Sequence, residues 1–275
     1  MRVAGRALSY VVLALIGLIG IAPFLYLAVL STKQRIDILE VPPSLDFDWA
    51  TIKENYDVVI NDDRFLTLIK NSIIVTGIST LIALLLGVPA AYAFSRLRFR
   101  GREQWSTTIL SFRFMPPVAV AIPIYLMMRE IGQLDSYPGL ILPYVAFSLP
   151  LTVWIMIGFF DEIPRELDDA ALVDGCGRLE TLVRVLLPLA RPGMVVAAIF
   201  GVIFVWNEFL VGLYVITSPD HQTVPIGASA LLTTESPIDW NIAAGVGVLT
   251  TIPILFFSIF VQRYIVRGMT AGAIK

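Results

Sequence analysis

The sequence predicts an all-α integral membrane protein with six transmembrane helices, and three observations carry that prediction. Of its 275 residues, 57% are hydrophobic and only 15% are charged, against about 45–50% apolar and about 25% charged in soluble domains. The mean hydropathy is +0.79. Nearly uncharged runs recur along the chain at about the 20-residue length that crosses a hydrocarbon layer, and Lys and Arg crowd into alternate loops. A cytosolic globular enzyme, a disordered tail and a secreted disulfide scaffold are excluded. Cys176 is the one cysteine and cannot form an internal disulfide. A net charge of −2 argues against a nucleic-acid partner.

The first run covers residues 8–30, behind Arg2 and Arg6. It is longer than the apolar region of a signal peptide, about 7–15 residues, and no small-residue cleavage pattern follows, so a retained span is expected. Residues 31–67 contain Pro42-Pro43, then Phe47, Trp49, Ile52, Tyr56, Val59 and Ile60 at roughly helical spacing. This predicts an amphipathic helix on the outer leaflet or against a partner. The second span is expected over 71–95, the third over 105–128 with Arg113 and Pro116-Pro117 inside it, and the fourth over 137–160. A polar loop over 161–192 precedes the fifth span, 194–216. Residues 217–240 carry Pro219, Pro225, Gly227 and Pro237 and predict a looped excursion; the sixth span covers 242–266. Residues 1–275 thus form a single transmembrane domain. Prolines inside these runs are tolerated because neighbouring helices satisfy the freed backbone groups.

Orientation follows from Lys and Arg in short loops. Arg96, Arg98, Arg100 and Arg102 form a dense cluster after the second span. Arg2, Arg6, Arg165, Arg178, Arg184, Arg191, Arg267 and Lys275 fall on the same side, while 217–240 has no Lys or Arg. Both termini and the 161–192 loop are therefore expected in the cytoplasm.

That loop is the most informative stretch. Pro164 precedes a first turn rich in acids (Glu166, Asp168, Asp169), which suits the positive end of a helix dipole. Ala170-Ala171 makes one face small, Gly175 ends or bends the helix, and Leu179 to Leu186 begin a second helix that closes at Leu187-Pro188.

Asp169-Ala170-Ala171, three residues, Gly175, nine residues and Val185-Leu186-Leu187-Pro188 resemble the EAA loop of permease subunits in binding-protein-dependent ABC importers. Asp169 stands where Glu is usual and Val185 where Ile is usual. Further segments resemble the smaller, maltose-permease-like subunit of the carbohydrate branch: Asn71-Ser72, Ala90 to Arg96, Pro116-Pro117, Gly139 to Tyr144, Trp206-Asn207-Glu208-Phe209, and Gly268 to Lys275. The resemblance covers nearly the whole chain.

The resemblance implies a type I ABC importer permease fold and a prokaryotic inner-membrane location. The implied partners are a second homologous permease, two ATPase subunits that use ATP and Mg, and an extracytoplasmic solute-binding protein, with the lipid bilayer around them. It implies no cofactor bound by this chain. Asp169, Ala170, Ala171, Gly175, Leu187 and Pro188 would couple to an ATPase, and a tail from Thr270 to Lys275 would lie between the ATPases. The solute would be a sugar or a sugar-like molecule.

Ionisable and polar groups within spans are costly and face a bundle interior or a water cavity. Arg113, Asn207 and Glu208 are such groups. They line the translocation path, or they are structural, with Glu208 pairing Arg113 or capping a broken helix. Tyr144 and Trp206 either stack on a sugar ring or pack. His221 has no second His or Cys nearby, so no metal site is expected. No Gly-x-x-x-x-Gly-Lys loop and no catalytic grouping occurs, so neither an ATPase nor a membrane hydrolase is expected. An ion-gradient-driven secondary transporter of a small polar solute is the alternative; it leaves the acid-Ala-Ala-Gly loop unexplained.

Overall fold

A computed structural model describes residues 2–39, 48–234 and 239–272. Among them the helices are, in chain order, α1 (Arg2–Leu30), α2 (Trp49–Ile60), α3 (Asp63–Arg96), α4 (Arg102–Ser111), α5 (Pro117–Glu130), α6 (Tyr137–Glu162), α7 (Glu166–Val173), α8 (Arg178–Thr181), α9 (Leu187–Leu189), α10 (Arg191–Trp206), α11 (Leu210–Val215), α12 (Val224–Thr234) and α13 (Trp240–Gly272). Four stretches are long and apolar enough to cross a membrane unbroken: Ser9–Leu30, Asp63–Arg96, Tyr137–Glu162 and Trp240–Phe260. Two further pairs are apolar enough only together and are bent at a break, Arg102–Phe114 with Pro117–Glu130 by 97° and Arg178–Leu189 with Arg191–Trp206 by 80°, so the number is up to six if each pair is one span.

The expected third span, 105–128, is therefore not one helix. Residues that precede a proline are pushed out of the α region, and both Met115 (ψ 130°) and Pro116 (ψ 125°) are extended. Pro117 then starts α5 at a position where its missing N–H is not needed. The expected fifth span, 194–216, is also interrupted. α10 ends at Trp206, and its 16 residues rise only about 24 Å, short of a hydrocarbon layer roughly 30 Å thick. The chain restarts as α11 after a break at 207–209. The expected loop 217–240 differs too, because it contains α12. Pro225 sits in the first turn of that helix and so initiates it.

The chain divides into two compact units, residues 1–66 with 227–253, and residues 67–226 with 254–275. In the first unit, α2 forms where the periodicity predicted a helix. Its N-cap Asp48 accepts from Ala50 N and Thr51 N, the arrangement that satisfies otherwise orphaned first-turn donors. The packed face is Thr51, Asn55 and Val59, while Trp49 is 81% exposed; Phe47 lies outside the described residues. The contact is polar and buried. Asn55 Nδ2 donates to the carbonyls of Ser31 (3.0 Å) and Lys33 (2.9 Å), and Asn241 Nδ2 donates to Asn55 Oδ1 at 2.9 Å. These bonds tie the end of α1, α2 and the start of α13 together. Within Ser9–Leu30, the apolar window contains no buried residue, so that surface is left for lipid or another subunit.

The second unit has two cores set along α6. One joins Tyr92 of α3, Met156 and Phe160 of α6, Leu182 and Leu186 of the polar loop, and Ala197 of α10. The other joins Val75, Met128, Leu140, Tyr144, Val211 and Val215. At the entry to α6, Ser136 Oγ accepts from Gly139 N, and the backbone of Gly139 lies directly against the Gln133 carbonyl. A Cβ at Gly139 would collide with that oxygen, a main-chain atom that cannot rotate away. Gly139→Ala is expected to cost about 3 kcal/mol, the upper part of the overpacking range. Thermal unfolding of the solubilised protein checks this; an unchanged Tm would mean that the 131–136 turn gives way instead.

Candidate functional site

The polar loop is built as two short helices on an anchored base. α7 carries Glu166, Asp168 and Asp169 in its first turn, where the helix dipole favours negative charge. It ends in a full Schellman cap: Gly175 N donates to Leu172 O at 3.1 Å and Cys176 N to Ala171 O at 3.0 Å. Gly175 has φ +87°, a region that glycine enters without steric penalty. α8 follows and runs into a π turn, Leu182–Leu186, in which Leu187 N donates to Leu182 O. Pro188, lacking an N–H, cannot donate to the Arg184 carbonyl, and the wider turn just before it accommodates the missing bond.

Successive residues of α7 point in different directions, and this divides its acids. Asp168 turns inward and meets Arg96, the last residue of α3, with Arg96 Nε 3.0 Å from Asp168 Oδ2. Their side chains are 5% and 14% exposed. The two atoms are in ion-pair contact without the alignment of a hydrogen bond. Arg96 also donates through Nη2 to Ile163 O at 2.7 Å, and Ser95 Oγ donates to Asp161. Burial pushes the Asp168 carboxyl above its usual range, with Arg96 opposing that effect. Asp169 and Ala170 face outward, whereas Ala171 is only 5% exposed and packs within the chain. The two alanines therefore do not share one open face. Asp169 makes no ion pair among the described residues. Leu187 packs against the core and Pro188 is exposed.

Within the expected membrane region, the two broken spans meet at an open cavity of about 580 Å³. Arg113, Phe204, Asn207 and Glu208 are among its walls. The Arg113 guanidinium lies 4.2 Å above the centroid of the Phe204 ring, a cation–π geometry. Asn207 and Glu208 explain the break. Asn207 Nδ2 donates to Ile203 O at 2.7 Å, the i−4 carbonyl that also accepts from Asn207 N at 3.3 Å, so the side chain caps the last turn of α10. Glu208 then accepts from Val211 N (2.9 Å) and Gly212 N (3.3 Å) and starts α11. Glu208 caps a helix and forms no ion pair with Arg113. Tyr144 and Trp206, at 1% and 5% exposure, are packed away from this cavity. Of the five intramembrane candidates, Arg113, Asn207 and Glu208 line the cavity, and the buried Tyr144 lies behind it against Glu208.

At the far end of the same unit, Asn71 fixes the segment before α12. Its Nδ2 donates to Asp220 O and Gln222 O, both at 2.8 Å, and its Oδ1 accepts from Tyr137 Oη at 2.7 Å. Ser72 Oγ accepts from Val224 N at 2.8 Å. The Asp135 carboxylate accepts from Ser218 N, Ser218 Oγ and Thr217 N. Burial raises its pKa, but those bonds outweigh it and hold the carboxyl below the usual range. Thr270 belongs to α13 but its side chain lies outside the described residues, as does Lys275.

Sequence reasoning missed the anchoring role of Arg96 with Asp168, and Phe204 beneath Arg113. An arginine at the end of a span reads first as a topology signal, and Asp168 is distinguished from Asp169 only by its direction on the helix.

Broken apolar helices around a cavity, with an anchored acid-Ala-Ala-Gly loop at one end, define a membrane transport permease rather than an enzyme. The family described as the binding-protein-dependent transport system inner membrane component matches residues 83–271, and the chain belongs to it. It is 37% identical over 262 residues to the trehalose transport system permease protein SugB of Mycobacterium tuberculosis, covering 93% of each chain. It is 32% identical over 276 residues to the trehalose/maltose transport system permease protein MalG of Thermococcus litoralis, covering 100% of this chain and 98% of that one. The fold is shared with a chain of a bacterial ABC transporter involved in import of the acidic polysaccharide alginate, at a TM-score of 0.81, 23% identity and 96% coverage of both chains. The ion-gradient alternative is not favoured by this membership.

Proposed function

We propose that this chain forms half of the translocation path for a sugar or sugar-like solute in an ATP-driven importer. A second, homologous permease supplies the other half. Two ATPase subunits, which use ATP and Mg, engage the 166–188 loop from the cytoplasm, and an extracytoplasmic binding protein delivers the solute. Both termini lie in the cytoplasm of a prokaryotic cell, and the C-terminal residues from Thr270 reach the ATPases. The observation that carries this reading is the anchored loop. Asp169 and Ala170 face outward for a partner, while Asp168 is fixed to α3 through Arg96. A push on the outer face therefore reaches a 34-residue helix through a buried contact, the rigid-element coupling that switching proteins use. The Arg113 guanidinium, stacked on Phe204, and the Asn207 amide offer hydrogen-bond donors to hydroxyl-rich solutes.

The test is uptake by proteoliposomes that hold the assembled importer. Solute entry should need both ATP inside and the loaded binding protein outside. The solute itself is found by thermal-shift screening of that binding protein against sugars, because a ligand stabilises the state it binds. Uptake by this chain without an ATPase would overturn the reading.

A further inference from the structure

The basic cluster after α3 is not spent on topology alone. A cavity of about 270 Å³ opens between the end of α3, α7 and the start of α8. This is just below the roughly 300–1,000 Å³ of small-molecule sites, a size for a headgroup rather than a whole ligand. Arg96, Arg98, Arg165 and Arg178 line it against Asp168 and Asp169. Asp168 neutralises Arg96. Arg98, Arg165 and Arg178 form no ion pair among the described residues, so three unpaired guanidiniums line the cavity, with the exposed Asp169 at its rim. A concave site with surplus charge of one sign focuses the field and gathers counter-ions, and the guanidinium fork matches phosphate oxygens.

We propose that this cavity binds the phosphate of an anionic phospholipid from the leaflet on the loop side of the membrane. The position favours a lipid over a soluble anion. The apolar length of α3 ends at the cavity mouth, where Tyr92 and Leu97 are part of its wall. Phe99 (41% exposed) and Trp105 (60% exposed) follow immediately, aromatics of the kind that sit at headgroup level. Arginines directly beyond a span attract anionic lipid. A bound headgroup would bridge Arg98 beyond α3 to Arg178 of α8, alongside the Arg96–Asp168 contact. The lipid would then hold the loop to the span it moves. This rests on the proposed membrane placement of α3, but not on the transported solute.

The test uses the assembled importer in nanodiscs that mix phosphatidylglycerol with phosphatidylcholine. Phosphatidylglycerol retained after detergent extraction is counted by native mass spectrometry. Arg98→Gln with Arg178→Gln is expected to lower retention by roughly fivefold for each guanidinium removed. Arg100→Gln with Arg102→Gln, which removes the same charge from residues outside the cavity lining, should lower retention clearly less. Equal losses in both variants would overturn the site, leaving only non-specific attraction. Displacement of phosphatidylglycerol from the wild type by millimolar inorganic phosphate would also overturn it, in favour of a soluble anion. Unchanged lipid retention with loss of the ATPase subunit would make the cavity a protein-docking site. If the double variant does not assemble, photo-crosslinking of a reactive phosphatidylglycerol to the wild type decides. Adducts on the peptides 92–98 or 165–178 support the proposal, and adducts elsewhere reject it.

Discussion

Gly175→Val is expected to cut solute uptake by the reconstituted importer by more than about tenfold while leaving membrane insertion and subunit assembly intact. The reasoning is purely conformational. Gly175 sits at φ +87°, and a Cβ there would meet nothing within 4 Å, so no neighbour is displaced. What changes is the backbone. An L-residue in the left-handed region costs about 1–2 kcal/mol, with more for a β-branched side chain, whose χ1 is already restricted. Relaxing that strain means abandoning the Schellman bonds from Gly175 N and Cys176 N to the last carbonyls of α7. α8 then leaves α7 in a different direction, and the outer face of Asp169 and Ala170 is no longer held in the orientation that the proposed docking requires. The expected readout is ATP hydrolysis that no longer rises with loaded binding protein, and uptake below about a tenth of wild type, a loss near 1.4 kcal/mol and within the usual range of coupling energies. Gly175→Asn separates this from general damage, because asparagine enters the left-handed region more readily than other side chains. Asn should keep most of the transport. Normal uptake by the Val variant, or equal loss in Val and Asn variants, would sink the assignment.

Much of the architecture is legible in the amino acids because bilayer physics writes it at low resolution. α3, α6 and the start of α13 come from apolar runs with no competing interpretation, and α2 from the helical spacing of its apolar residues, while its Asp48 cap is not evident from that spacing. The misreadings have physical causes. The break at Asn207-Glu208 is a matter of two side chains choosing backbone partners, Ile203 O on one side and Val211 N and Gly212 N on the other. Hydropathy, which sees apolar residues before and after, runs straight through it. Pro225 reads as a loop signal unless its position in a first turn is known, and that position is set by Ser72 Oγ accepting from Val224 N, about 150 residues away in sequence. For the candidate site, the resemblance to the EAA loop singled out Asp169, Gly175 and Pro188. It could not reveal that Asp168 and Ala171 face inward, since the reference direction is Arg96 on another helix. Nor could it separate Trp206 and Tyr144, which pack, from Arg113, which faces the cavity.

Arg96→Met should be the more damaging change to the folded protein. The ion pair with Asp168 is nearly dry, at 5% and 14% side-chain exposure, and removing one member of a buried pair costs about 3–5 kcal/mol because the other charge is left without compensation. The variant also loses the bond from Arg96 Nη2 to Ile163 O, which holds the exit of α6. Loss of uptake and a lowered Tm are expected together, and their pH dependence identifies the cause. Burial already raises the Asp168 carboxyl above its ordinary 3.8, with Arg96 as the main opposing influence. Without Arg96 it rises further. A carboxyl whose folded pKa is raised destabilises the fold above that value and releases the penalty as pH falls through it toward 3.8. The Tm deficit of Arg96→Met should therefore be largest near pH 8 and shrink on acidification, whereas a loss due to packing alone would not vary with pH. Replacing the pair by apolar groups, Arg96→Met with Asp168→Leu, removes the stranded charge and should restore most of the stability, since such exchanges are often neutral or better. If the anchor acts mechanically, uptake returns with it, because α7 remains pressed against α3 by contact rather than charge. An Arg96→Met variant with wild-type Tm at pH 8 would show that the loop is held elsewhere.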